Sequence, residues 1–317
     1  MPFKKYISII IKIMIVFFSF YFIYHQLSEN KSFEELDLTM LINTVKQNNL
    51  SLIGIILMML LNWLFEALKW RYMISKIETI SVIRAYRAVF TGITVSTFTP
   101  NRIGEYGGRV FCLEKGDRIK AVFITILCSM SQLLTTILFG SISLFILFEE
   151  ILIEKSFISI SLLILLNLFL VISYFNISSI VTFLSKLKLI KSFKQYLEVL
   201  AMYDYKDLTI AFIFSNIRYF IFSLQFIILL NIFGVDITFL NALLSVMLIF
   251  FFITITPTIT IAEIGVRGSV AIFVLGLFSS NDIAILSSTT LLWLINLILP
   301  AIIGSFFIFS LKFFRSI

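Results

Sequence analysis

Little in this chain can perform chemistry in water. Of its 317 residues only 14% are charged, one is histidine and two are cysteine. His25 stands alone at the outer end of an apolar run, so there is no spacing for a histidine relay or a zinc site. Cys112 and Cys128 flank a charged turn and an apolar segment, which excludes a disulfide framework and fits packing residues. Phosphate-loop, dinucleotide and metal-ligand motifs are missing too. An enzyme gathers several different reactive groups, and here only Glu/Arg pairs recur, so we expect a non-enzymatic protein with no cofactor and no metal. No polar stretch approaches the roughly 100 residues of a separate soluble domain.

What the chain has in excess is apolar surface: 60% hydrophobic residues, 36 phenylalanines and a mean hydropathy of +1.05. That composition predicts an all-α polytopic membrane protein, a single integral domain over residues 1–317. Six runs meet the roughly 20-residue length of a full span: Ile7–Tyr24, Leu50–Leu68, Ala121–Phe148, Ser156–Phe175, Leu208–Ile232 and Ile283–Leu311. The first follows Lys4 and Lys5 like a secretory signal, but Lys12 interrupts it and no small-residue cleavage site follows, so it reads as an uncleaved span. Leu27–Asn49 is acidic and sets Phe33, Leu36, Met40 and Leu41 on one face, as in a helix resting on a membrane surface.

Two regions are too short to span. They are Ala88–Thr99, and Phe239–Thr256 with Val266–Phe278. Each reads as a re-entrant helical hairpin, at about 88–116 in a first half (about 1–150) and about 239–280 in a second half (about 151–317). Charge supports this topology. With both termini in the cytoplasm, the inside segments collect Lys69, Arg71, Lys76, Arg84, Arg87, Lys115, Arg118, Lys120 and the lysines from Lys186 to Lys194, whereas the outside holds only Lys31, Lys46 and Lys155. A full crossing at the first hairpin would destroy that asymmetry. The hairpins then enter from opposite sides, as an inverted repeat requires. The net charge of +7 follows from loops beside anionic lipid and does not imply nucleic acid.

Inside each hairpin the chain repeats one polar phrase, PNRIGEYGGR at Pro100–Arg109 and PTITIAEIGVR at Pro257–Arg267. Thr99 and Thr256 are placed to cap helices opened by Pro100 and Pro257, whose N-terminal dipoles would form an anion site at mid-membrane depth. Glu105/Arg109 and Glu263/Arg267 stand at i,i+4 with glutamate first, the better orientation for pairing. Two readings stay open. Each pair neutralises itself in lipid, or Arg109 and Arg267, helped by Arg102, grip a lipid phosphate while the glutamates orient them. The glycines Gly104, Gly107, Gly108, Gly265 and Gly268 suit close packing or a flexible break alike. Arg218, in SNIRYF, faces the same cavity, pairs with a glutamate, or snorkels to the interface. Glu66 reads as half of an interfacial ion pair with Lys69 or Arg71. The stripe Ser129, Ser131, Gln132, Thr135 and Thr136 reads as helix–helix hydrogen bonding.

Three stretches carry a resemblance: EALKWRYM (Glu66–Met73), PNRIGEYGGR, and EIGVRGSVAIFVLGLF from Glu263. In order and spacing they resemble the integral-membrane family named for the transmembrane region of lysylphosphatidylglycerol synthase, also called flippase-like. The resemblance implies a bacterial cytoplasmic-membrane protein whose partners are membrane lipids. In fused synthases it implies movement of aminoacylated phosphatidylglycerol, and in some relatives work beside a separate glycosyltransferase or synthase. Where many members carry Glu-Arg after the first phrase, this chain has Met130, Ser131 and Gln132. No aminoacyl-transfer domain follows Ile317, so the chain is not expected to be the synthase by itself. Three functions follow, in descending order: a translocase for an anionic or glycosylated phospholipid with its head-group site between the hairpins, a non-transporting scaffold docking a glycosyltransferase or lipid-modifying enzyme through the basic segment Ile180–Leu200, and a head-group enzyme using Glu105 or Glu263 as base.

Overall fold

The computed structural model describes residues 7, 10, 13–14, 17–18, 21, 44, 46–99, 102–147, 157–186, 194–256 and 263–309, with side chains at 157–159 and 263–264 excepted. Most of the first span, most of the surface helix before Asn49, and residues 187–193 of the basic segment 180–200 fall outside these residues. Every regular element described is helical.

Two sets of helices follow the same order. The first is α1 (Asn49–Ile74), α2 (Val82–Ser96), α3 (Gly104–Val110) and α4 (Arg118–Ile146). Then come α5 (Phe157–Phe175) and α6 (Ile177–Leu184), an apolar pair bent by 78° at Asn176. The second set is α7 (Tyr205–Ile232), α8 (Phe239–Ile255), α9 (Glu263–Leu275) and α10 (Asp282–Trp293), the last running through a π-helical turn (Leu294–Ile298) into α11 (Leu299–Ile308). The helices α1, α4, α7 and the continuous α10–α11 are long and apolar enough to cross a membrane, and the bent pair makes a fifth candidate. The chain is thus a polytopic all-α membrane protein.

Caps fix where these helices begin. Ser81 accepts from the Arg84 N–H, Asp117 from Ile119 and Lys120, Thr238 from Asn241, and Asn281 from Ala284. Asp204 and Asp207 form a reciprocal capping box at α7.

The hairpins are built from helices too short to cross. The 15 residues of α2 reach about 22 Å at 1.5 Å per residue, against a hydrocarbon core of about 30 Å. Helix α3 doubles back along α2, and glycines set the approach: a Cβ on Gly108 would lie 2.7 Å from the Gly92 Cα, and one on Gly104 would lie 2.5 Å from the Val95 carbonyl. Pro100 and Pro257 lie outside the described residues. The second arm begins at Gly104, not at the proline, so a proline-opened helix is corrected there. Ile103, not Thr99, holds the N-cap position, but the Thr99 Oγ1 still accepts from the first helical N–H, that of Gly104, at 2.9 Å.

The two sets interlock. Helix α11 packs on α2, where Thr94 Oγ1 donates to the Ala301 carbonyl at 2.8 Å and Gly304 sits against Phe90. Helix α4 packs on α8, where Ser143 Oγ donates to the Leu244 carbonyl at 2.6 Å and Gly140 sits against Phe251. Each hairpin is therefore held by the closing helix of the other set. Apolar clusters centred on Trp70 and on Phe226–Phe250 fill the space between.

Candidate functional site

Helical spacing brings polar side chains of four helices to one place. On α1, Asn62, Trp63, Glu66, Lys69 and Trp70 share a face at i, i+1, i+4, i+7 and i+8. Helix α4 presents Cys128, Ser131, Gln132 and Thr136 at i, i+3, i+4 and i+8, and α7 presents Ser215, Arg218, Tyr219 and Phe222 at i, i+3, i+4 and i+7. Glu105 and Arg109 lie one turn apart on α3.

Glu66 is the hub. Its Oε1 accepts from Arg109 Nη1 at 2.8 Å, and its Oε2 accepts from Lys69 Nζ at 2.9 Å and from Arg218 Nη1. Arg109 also pairs through Nη2 with Glu105. Lys69 completes its coordination on the Cys128 carbonyl and Ser215 Oγ, both at 3.1 Å. Arg218 donates from Nε to the Asn62 carbonyl and Oδ1, both at 3.2 Å, and from Nη1 to Gln132 Oε1 at 3.1 Å, while its guanidinium lies 5.1 Å over the Trp63 ring. Glu66, Lys69 and Arg109 are 4%, 1% and 1% exposed, so none of this charge reaches water from its own helix. Burying an unpaired ion costs several kcal/mol, and the mutual pairing of three cations with two carboxylates offsets that cost, although Arg109 Nε is left without a hydrogen-bond partner. One positive charge is left in excess within the network, and of its five members Arg218 borders open space.

That space is a cavity of about 260 Å³ between the hairpins. Arg102 from the first hairpin, Arg218 from α7 and Arg267 from the second hairpin line it, with Asn62, Trp63, Gln132, Tyr219, Trp293 and Asn296 among the other walls. Arg102 has a φ of 56°, the left-handed region that a non-glycine residue enters only when its surroundings hold it there. The wide turn of the last span also belongs to the wall. Pro300 has no N–H and crowds the carbonyl four residues back, at Asn296, so the helix opens to a π turn there and carries Trp293 and Asn296 to the cavity. Four buried polar atoms on this wall have no hydrogen-bond partner in the protein: Trp63 Nε1, Tyr219 Oη, Trp293 Nε1 and Asn296 Oδ1.

The sequence-derived site residues divide accordingly. Arg102, Arg218 and Arg267 meet at the cavity. Glu105 and Arg109 form the expected i,i+4 pair, but neither lines it, and Arg109 is held between two carboxylates. Glu263 begins α9 one turn before Arg267, and its side chain is outside the described set. Gly104 lies at the hairpin break, whereas Gly265 stands in open space inside α9. Glu66, expected in an interfacial pair, is instead the buried centre of the network, because α1 continues two turns beyond it to Ile74. Gln132, taken for a helix–helix contact, is one, to Arg218. Sequence reasoning missed Trp63, Trp293 and Asn296, whose signal was a polar group in the middle of a long apolar span. Among the described residues no group of His, Cys, Asp or Glu is arranged to hold a metal ion.

No curated protein and no solved structure matches this chain. A family model does, over residues 9–304, nearly the whole length and both hairpins. The chain belongs to the family described as the lysylphosphatidylglycerol synthase TM region.

Proposed function

We propose that this protein is a lipid translocase that carries a phospholipid with an anionic head group across the bacterial cytoplasmic membrane. The head group enters the cavity between the hairpins and its tails stay in lipid. Arg102, Arg218 and Arg267 bind its phosphate, since a planar guanidinium donates in pairs to phosphate oxygens and keeps its charge when buried. The convergence of these three arginines, from both hairpins and from α7, on one cavity is the observation that carries this reading. Arg109 takes a different role from the one its sequence position suggested: it fixes Glu66, and Glu66 in turn fixes Arg218 at the cavity wall.

The repeated helix order suits an inverted repeat with both termini in the cytoplasm, in which the hairpins close in turn on either side of a fixed site. No chemistry on the lipid is needed, and Glu105, tied to Arg109, is poorly placed to act as a base.

The test is movement of a fluorescent anionic phospholipid in reconstituted proteoliposomes, scored by dithionite protection, for the native chain and for Arg102→Gln, Arg218→Gln and Arg267→Gln at equal insertion. Native movement lost in all three variants supports the reading. Native rates in all three variants dismiss the phosphate site.

A further inference from the structure

The cavity wall holds more than positive charge, and its remaining polar atoms are selective. Trp63 Nε1 and Trp293 Nε1 can only donate, Tyr219 Oη can donate or accept, and Asn296 Oδ1 can only accept. The orientation of the Asn296 amide is fixed, because its Nδ2 donates to the Leu292 carbonyl at 3.1 Å. Tyr219 and Trp293 are each 3% exposed and Asn296 is 6% exposed, so bulk solvent does not serve these groups.

Three head-group chemistries can be compared against this set. A fully ionised phosphate monoester only accepts, so it suits the arginines and the indole N–H groups but leaves Asn296 Oδ1 unserved. An ammonium group only donates, so it leaves both indoles unserved and brings a cation among three guanidinium groups. Among the described side chains lining the cavity there is no carboxylate to receive it. A hydroxyl does both. It replaces one for one the water that such a site otherwise holds. The aromatic surfaces of Trp63, Tyr219 and Trp293 add flat apolar walls for the C–H faces of a ring. The cavity of about 260 Å³ has room for a phosphate with a polyol group.

We infer that the lipid this cavity accepts bears hydroxyl groups beside its phosphate, as on an inositol, sugar or glycerol moiety, and no ammonium group. The inference rests on the phosphate-site reading above and narrows its substrate.

Two of the three tryptophans line the cavity, so intrinsic fluorescence reports its occupation directly. The protein, in nanodiscs of neutral phosphatidylcholine, is titrated with short-chain phosphatidic acid, phosphatidylinositol and lysyl-phosphatidylglycerol. The expected result is phosphatidylinositol half-saturating at a concentration at least tenfold below phosphatidic acid, with the lysyl lipid weakest of the three. Asn296→Leu, which keeps both reporter indoles, should weaken phosphatidylinositol binding about tenfold and phosphatidic acid binding less. Equal binding of phosphatidic acid and phosphatidylinositol overturns the hydroxyl inference while the phosphate site stands, as does an unchanged preference in Asn296→Leu. Tightest binding of the lysyl lipid overturns it as well. Binding of none of the three overturns the phosphate site together with it.

Discussion

Arg218 donates to Glu66 across 152 positions of sequence, and this ion pair joins the buried charge network to the cavity. Glu66 is held at the same time by Arg109 and Lys69. Replacing it with glutamine leaves three buried cations facing one carboxylate. Breaking a buried pair by removing one partner costs about 3–5 kcal/mol. We expect Glu66→Gln to lower the thermal unfolding midpoint in detergent sharply. The double variant Glu66→Gln with Lys69→Met should recover part of the loss, since it restores the balance of charge, and a double-mutant cycle checks the coupling. Additive losses from the two single variants would dismiss the hub.

The arginines separate by role. Arg109 is 1% exposed and bound by two carboxylates, so Arg109→Gln should unfold the protein at lower temperature, by a loss of about 3 kcal/mol or more. Arg102 and Arg267 line the cavity and are only half-buried, so their glutamine variants should keep the midpoint within a few degrees while weakening anionic-lipid binding. Calorimetry beside a lipid-binding titration distinguishes the two classes. Equal destabilisation by all three would mean that the cavity arginines are structural.

How far the sequence disclosed this site depended on the distance between partners. Glu105 and Arg109 are one turn apart on one helix, and spacing alone pairs them. Glu66 was misplaced because Trp70 and Arg71 suggested a membrane boundary, whereas α1 runs on to Ile74. Its other partners, Arg109 and Arg218, come from a hairpin and a span that no local pattern connects to α1. The short helices of the hairpins were legible from run length, but the start of α3 was not. A proline after a threonine is a strong helix opener, yet here the Thr99 hydroxyl accepts from Gly104, and Arg102, at a φ of 56°, lies before the helix starts.

Glycine packing in the first hairpin gives a cleaner comparison. A Cβ at Gly108 meets backbone of α2 at 2.7–3.0 Å, and backbone cannot swing aside, so α2 and α3 must separate. Gly108→Ala should cost about 1–3 kcal/mol, the range for overpacking. Gly107 is its neighbour in sequence and has nothing within 4 Å of the same added atom. Gly107→Ala should be neutral or slightly stabilising, as helix propensity favours alanine by up to about 1 kcal/mol. Matched unfolding midpoints of the two variants would dismiss the close approach.

Outside the membrane-spanning segments, Glu78 ties the turn after α1 to the turn before α4. Its carboxylate accepts the N–H groups of Glu114, Lys115 and Gly116 at 3.1, 2.8 and 2.6 Å, with Arg84 at 3.5 Å. Burial alone raises its pKa, but the three backbone donors and Arg84 outweigh burial and hold it below the usual glutamate value. A depressed folded-state pKa means that the unfolded chain binds the proton first as pH falls. The stabilisation is therefore complete above about pH 5–6, past the unfolded value near 4.3, and is lost as pH drops through the lower folded value. Glu78→Gln keeps one acceptor oxygen but loses the charge, so at pH 7 it should cost about 1–2 kcal/mol. The gap between native and variant should narrow as pH falls below the unfolded value toward pH 3. Unfolding midpoints measured from pH 3 to pH 7 check the sign. A gap between native and variant that stays constant over that range would show that the carboxylate's charge contributes nothing, and that the turn is held by the backbone contacts alone.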